Sequence, residues 1–239
     1  MAGGTVLVAV PHPDDVELSC GGTIARWVRE GNLGVLVVAT DGALGGKYPD
    51  VEHSALVEQR REEQRQAAEV IGFDDVVFLG FADGSLQDDR ELRGALVEHI
   101  RRIRPDRVVI LDPLTVIYRN SYVNHRDHRI LGIAMLDALY PEASNAGYYP
   151  EQLDRGLETH KVPEVWLANT EQPNYWVDVS ATLDIRFEAL RRHRSQMRLW
   201  PEQGEAIIRQ QRELAAVLGV EHGVGYAEEF RRVVVNPLA

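Results

Sequence analysis

The sequence predicts an α/β fold: a Rossmann-like, doubly wound, mostly parallel sheet with helices on both faces. Three observations predict it. Short runs of Val, Leu and Ile, bounded by Gly, Pro or Asp, recur along the chain, as they do in strands buried on both faces. Helix-like segments lie between those runs, the rhythm of parallel strands joined by crossovers. Two of the runs lead into segments rich in His and Asp, and open α/β sheets hold their ligands beyond the carboxyl ends of the strands. The chain has 239 residues and 44% hydrophobic content, which suits one large domain core. No repeat, low-complexity tract or long linker divides it, so residues 1–239 read as a single domain.

The elements follow in order. Thr5–Val10 reads as an interior strand and Gly22–Glu30 as a helix behind a Gly-Gly pair. Gly34–Thr40 is a second strand, nearly all Val and Leu, and Asp41–Pro49 a Gly-rich loop. His53–Ile71 is a long polar helix, with Gly72 at the position where helices often end on a left-handed residue. Asp75–Leu79 is a third strand, Asp88–Arg102 a helix that stops before Arg104-Pro105, and Arg107–Leu111 a fourth strand. A helix over Arg126–Tyr140 begins inside the second His cluster. Strands are expected over Glu164–Asn169 and Tyr175–Val179, helices over Ala181–Met197 and Glu202–Leu218, and a last strand over Arg231–Val235. Tyr140–Pro163 is the least regular stretch and reads as a mobile flap near the second His cluster.

Bulk properties narrow the function. A net charge of −11 argues against nucleic-acid partners and anionic membrane surfaces, which need a basic face. One cysteine, Cys20, allows no intrachain disulfide and fits a reducing compartment. No apolar stretch approaches the roughly 20 residues of a membrane span. Met1–Gly4 runs straight into a strand without a signal pattern. The expectation is a cytoplasmic protein acting on a small molecule.

The chemistry concentrates in two places. Pro11-His12-Pro13-Asp14-Asp15 follows the first strand, and Asn124-His125-Arg126-Asp127-His128 comes after the fourth. Taken alone, the first is also what a turn looks like, because Asp caps helices and Pro fixes φ. Together the two supply a His, Asp, His set: His12, Asp15 and His128. That nitrogen and oxygen ligation suits Zn²⁺ and tolerates other divalent ions such as Fe²⁺. Asp14 is left over as a base for water. His125 is left over to stabilise an oxyanion or protonate a leaving amine, with Asp127 as the partner that holds its tautomer. Gly42, Gly45 and Gly46 resemble a phosphate loop only loosely, since no nucleotide-binding glycine fingerprint follows a strand. Cys20 and His193 read as structural, His193 as a helix-face or subunit-contact residue.

These segments resemble the PIG-L / LmbE-like family of zinc-dependent N-deacetylases, whose hallmarks are A-H-P-D-D after the first strand and H-P-D-H further on. The continuation Val16-Glu17-Leu18-Ser19-Cys20-Gly21-Gly22-Thr23-Ile24 looks most like the family's bacillithiol-biosynthesis branch. Weaker matches are Thr40-Asp41-Gly42, Arg60 with Glu63, Leu79-Gly80 with Asp83-Gly84, Val177–Ser180, and His193 with Ser195 and Gln196. The resemblance implies hydrolysis of an acetamide on a glucosamine-type sugar. It implies zinc at His12, Asp15 and His128, Asp14 as general base, His125 as oxyanion stabiliser or acid, and sugar contacts from Arg60 and Asp83. It also implies a homo-oligomer, trimer or hexamer. Arg60, among many charges, equally fits a solvated helix face, and Asp83 an Asp-Gly turn. Two departures stand out: Ala43 replaces a Glu common in the family, and Arg126 replaces the Pro of H-P-D-H. Arg126 either meets an anionic group of the substrate or pairs with a surplus carboxylate. Open alternatives are an amidase of thiol-sugar conjugates, a tailoring deacetylase of an antibiotic or chitooligosaccharide, a non-catalytic metal- or sugar-binding module, and a Rossmann-type nucleotide binder.

Overall fold

The computed structural model describes residues 3–45, 52–199 and 201–235. In chain order the elements are β1 (Thr5–Val10), α1 (Asp15–Ser19), α2 (Gly21–Arg29), β2 (Leu33–Thr40), α3 (His53–Ile71), β3 (Asp75–Phe81), α4 (Arg90–Ile103) and β4 (Arg107–Leu111). A small hairpin follows, β5 (Ile117–Tyr118) and β6 (Tyr122–Val123), then α5 (Arg126–Asp137) and α6 (Pro150–Asp154). The chain continues through β7 (Glu164–Ala168), β8 (Tyr175–Asp178), α7 (Leu183–Leu190), α8 (Arg194–Leu199), α9 (Pro201–His222) and β9 (Ala227–Val234). Residues 46–49 of the Gly-rich loop fall outside the described residues.

The main sheet runs β3-β2-β1-β4-β7-β9-β8. Its first five strands are parallel; β9 pairs antiparallel with both β7 and β8. The α/β architecture with helices on both faces is the expected one. Alternation along β1 shows why. Val6, Val8 and Val10 pack with residues of α2, α3, α7 and α9, whereas Leu7 and Ala9 pack with α4 and α5. A strand buried on both faces has to be apolar at its buried positions, which is what Val6–Val10 shows.

Strand order reverses between β1 and β4. The chain leaves β1 toward β2 on one side and leaves β4 toward β7 on the other. Loops at such a switch point diverge and open a crevice. The two His/Asp segments lie in the connections that follow β1 and β4, the second beyond the β5–β6 hairpin.

Two expectations change. The helix foreseen over Ala181–Met197 is broken into α7 and α8. His193 turns inward and is fully buried at the break. Glu63 then captures the main-chain N–H of Ser195 at 2.8 Å and its hydroxyl at 2.6 Å, in the first turn of α8. The stretch foreseen as a mobile flap is instead clamped. Arg101, buried on α4, donates to the main-chain oxygens of Glu142, Ala143, Asn145, Tyr148 and Tyr149 and to Gln152 Oε1. A guanidinium offers five N–H donors in a fixed fork, so one side chain organises the whole turn. Among the described residues no helix is long and apolar enough to cross a membrane.

Arg101→Met would leave those buried carbonyls without donors. Urea unfolding should show a loss of about 3 kcal/mol, the range for breaking a buried polar network. An unchanged midpoint would contradict the clamp.

Candidate metal centre and active site

The first segment makes a tight turn out of β1. Asp15 Oδ2 accepts the His12 main-chain N–H at 2.8 Å, closing the turn and starting α1. Asp14 sits between them at φ 95°, ψ −15°, a left-handed conformation costly for a residue with a Cβ. Its N–H is held by Gln64 Oε1 at 2.9 Å. The second segment leaves the β5–β6 hairpin and enters α5. His125 caps that helix, its Nδ1 accepting the Asp127 N–H at 3.2 Å. Its neutral ring therefore carries the proton on Nε2. Asn124 Oδ1 lies 2.9 Å from His128 Nδ1, and the Asn124 amide is itself anchored to the carbonyls of Asp112 and Thr115. Such a partner fixes ring orientation and presents the other nitrogen to the site.

The structure brings His12, Asp15 and His128 together. Asp15 spans the two imidazoles, Oδ2 at 3.2 Å from His12 Nδ1 and Oδ1 at 3.1 Å from His128 Nε2. The rings of His12, His125 and His128 have centroids 4.8 to 5.5 Å apart. His12 Nε2 lies 3.1 Å from Asp83 Oδ1 and 3.4 Å from Asp127 Oδ2, aligned for a hydrogen bond with neither. Two sets of donor atoms fall within 4.8 Å of one another, His12 with His125 and His128, and His12 with Asp83 and Asp127. His12 belongs to both.

Charge explains the titration. Burial disfavours a charged His12, yet Asp15, Asp127 and Asp83 around it prevail and push its pKa up to about 12. Burial would raise Asp15, but His128 and His12 hold it well below the usual carboxylate range. Asp14 moves the other way: burial pushes its pKa up, against the pull of Arg60 and His193. His125 is lowered by burial and by the neighbouring His12 and His128. A cation competes with the proton on His12 for the same negative surroundings. Borderline nitrogen donors, hard carboxylate oxygens and a buried imidazole nitrogen left without an aligned partner fit a divalent ion such as zinc.

The remaining expected residues are placed as follows. Arg60 is buried rather than on a solvated face, and bonds the carbonyls of Gly42 at 2.7 Å and Pro13 at 2.6 Å, with Asp14 Oδ2 at 3.4 Å. A Cβ at Gly42 or Gly45 would lie 2.8 or 2.2 Å from Arg60 Nη1, so the glycine loop is shaped to wrap a guanidinium, not a phosphate. Asp83 accepts the Leu44 N–H at 3.0 Å with the oxygen turned away from His12. The Asp127 carboxylate, expected to hold His125, instead accepts the Gly84 N–H at 2.7 Å and faces His12; its main-chain N–H is what reaches His125. Arg126 donates to the Leu86 carbonyl, sits 3.5 Å from Asp127 Oδ1, and is not among the residues lining the cavity.

A cavity of about 360 Å³ opens over the cluster, lined by His12, Asp14, Asp15, Arg60, Asp83, His125 and His128 together with Leu44, Gly45, Tyr122 and Gln196. Sequence reasoning gave no site role to Gln64, Glu17, Asn124 or Leu44. A signal existed for Gln64: the apolar spacing Ala67, Ala68, Ile71 runs back along α3 onto Arg60, Glu63 and Gln64, all buried. Behind the site Gln64 Nε2 donates to Glu17 Oε1 at 3.0 Å, and Glu17 Oε2 faces His193 Nε2 at 3.3 Å. Burial would lower the His193 pKa, but Glu17 prevails and raises it.

The model of the GlcNAc-PI de-N-acetylase (PIG-L) family matches residues 7–139. A diacetylchitobiose deacetylase of Thermococcus kodakarensis is 34% identical over 230 residues, 95% of this chain and 82% of that protein. A probable N-acetyl-alpha-D-glucosaminyl L-malate deacetylase 2 of Bacillus anthracis is 26% identical over 198 residues, 80% of each chain. The solved N,N'-diacetylchitobiose deacetylase from Pyrococcus horikoshii superposes with a TM-score of 0.86 at 29% identity, covering 99% of this chain and 88% of that one. The archaeal enzymes are more similar than the L-malate deacetylase, so the bacillithiol-type branch expected from residues 16–24 is not singled out.

Calorimetric titration with Zn²⁺ should find affinity at least about tenfold weaker in His12→Ala and His128→Ala than in the unaltered protein, and within about twofold in Arg126→Ala. Unaltered binding in His128→Ala would remove that residue from the donor set.

Proposed function

Because the chain belongs to the PIG-L family of de-N-acetylases, we propose that it is a zinc-dependent hydrolase. It removes the N-acetyl group from an N-acetylglucosamine-containing small molecule or glycoconjugate, giving acetate and a free amine. The observation that carries this reading is the cluster of imidazoles and carboxylates on the floor of an open cavity, with Asp14 and His125 beside the donors. A binding module needs donors; it has no use for a base and an acid at the same spot. Among family substrates an N-acetylated chitodisaccharide is favoured, since the more similar relative acts on diacetylchitobiose.

His12, Asp15 and His128 would hold a divalent ion, zinc or Fe²⁺, which would supply Lewis-acid polarisation and a lowered pKa for water. Asp14, on the cavity wall and next to Asp15, takes the proton from the attacking water. Burial raises its pKa, which makes it a stronger base than an exposed carboxylate. His125 has its Nδ1 committed to the Asp127 N–H and so presents Nε2 to the developing oxyanion or the leaving amine. Asp127 and Asp83 face His12 Nε2 and surround it with negative charge. Leu44, Tyr122 and Gln196 meet the sugar and what it carries, with Arg60 in the cavity wall gripping the carbonyls of Gly42 and Pro13. A cytoplasmic setting and a homo-oligomer, trimer or hexamer, complete the proposal. The single buried cysteine and the exposed Leu114, Ile117 and Val123 of the hairpin region support these two points.

Amine release from diacetylchitobiose, GlcNAc-malate, GlcNAc-inositol and free N-acetylglucosamine is the test. Release from diacetylchitobiose should disappear after chelation and return with Zn²⁺. No release from any member by zinc-loaded protein would refute the deacetylase reading. In Asp14→Asn, kcat should fall by about 10²–10⁴-fold with the cation still bound; full activity would refute the base.

A further inference from the structure

Asp14 holds a left-handed conformation at φ 95°, which is strained for a residue with a side chain. Such a residue persists only where its surroundings leave it no alternative. Its N–H points inward, away from the cavity, and is met by one acceptor, Gln64 Oε1 at 2.9 Å. Gln64 is fully buried on α3. Its amide has one workable orientation: the oxygen is needed by the Asp14 N–H, and the nitrogen by Glu17 Oε1 at 3.0 Å. Glu17, also fully buried, faces His193 with its other oxygen at 3.3 Å. None of the three side chains lines the cavity. A line of buried polar groups therefore starts behind the base and ends in the break between α7 and α8.

We propose that Gln64 is a positioning residue for Asp14. Its amide, oriented by Glu17, locks the main chain of the base in the left-handed turn that sends the carboxylate into the cavity. The inference rests on the reading of Asp14 as proton acceptor. Arg60 contributes differently: it approaches the Asp14 carboxylate only at 3.4 Å and is committed to the carbonyls of Pro13 and Gly42.

Two variants test it. Gln64→Leu removes the acceptor with little change in volume. Gln64→Glu combined with Glu17→Gln restores both hydrogen bonds with the second donor and acceptor exchanged, since the new carboxylate accepts from Asp14 and from the new amide. Steady-state kinetics on diacetylchitobiose, Zn²⁺ affinity by calorimetry, and exchange of the Asp14 amide proton by NMR are read on the same samples. In Gln64→Leu, kcat should fall about 10–100-fold, with KM and Zn²⁺ affinity within about threefold. The Asp14 amide should exchange at least about tenfold faster, and the double exchange should restore both amide protection and kcat. Unchanged amide protection in Gln64→Leu overturns the proposal, as does a loss of kcat matched by loss of Zn²⁺. A double exchange no better than Gln64→Leu overturns it too. If the unaltered protein released no amine, the deacetylase reading would fail, while the amide exchange would still decide whether Gln64 holds the turn.

Discussion

The arrangement depends on compensating buried negative charge around one imidazole. Asp15, Asp83 and Asp127 all face His12, and Asp14 precedes Asp15 in the chain. Carboxylates gathered out of water are costly unless a cation or a set of donors answers them. The structure answers with what it can. Main-chain N–H groups of His12, Leu44 and Gly84 bond Asp15, Asp83 and Asp127 respectively, and His128 meets Asp15. Each of those donors ties a different loop to the centre, so the loops after β1, β2, β3 and β4 are shaped by the same charge.

The fold makes that convergence possible. Parallel strands deliver four loops to one end of the sheet, and the reversal of strand order between β1 and β4 keeps a helix from covering the crevice. Rigid supports then hold the chemistry from behind. Asn124 fixes His128, Arg60 grips the glycine loop, and α3 presents a buried polar edge to the turn that carries Asp14. Function is built on element ends, and the precision comes from Asn124 and Gln64, which do not line the cavity, and from Arg60 in its wall.

Much of this was legible in the sequence. Apolar runs located every strand of the parallel half, and the clustering of His12, Asp14, Asp15, His125 and His128 after two of them located the site. Less legible was which group each side chain answers. Asp127 sits two residues from His125, so adjacency suggested a pair, yet helix geometry turns its carboxylate to Gly84 and His12. The charge-rich face of α3 looked solvated because charge alone does not reveal burial; Arg60 and Gln64 are enclosed by loops distant in sequence. Arg101 carried no signal, since its partners are main-chain carbonyls 41 to 48 residues away and the Gln152 side chain. The hairpin of β5 and β6 has strands of two residues each, too short for a periodic pattern.

The central claim is that the carboxylate-ringed imidazole cluster is a cation site centred on His12, Asp15 and His128. The most direct measurement is anomalous diffraction at the zinc edge from crystals of zinc-loaded protein. The account predicts one dominant peak about 2.0–2.2 Å from a nitrogen of His12, a nitrogen of His128 and an oxygen of Asp15. A peak bound by Asp83 and Asp127 without His128, or one found only at the separate Glu221, His222 and Glu229 group, would contradict it.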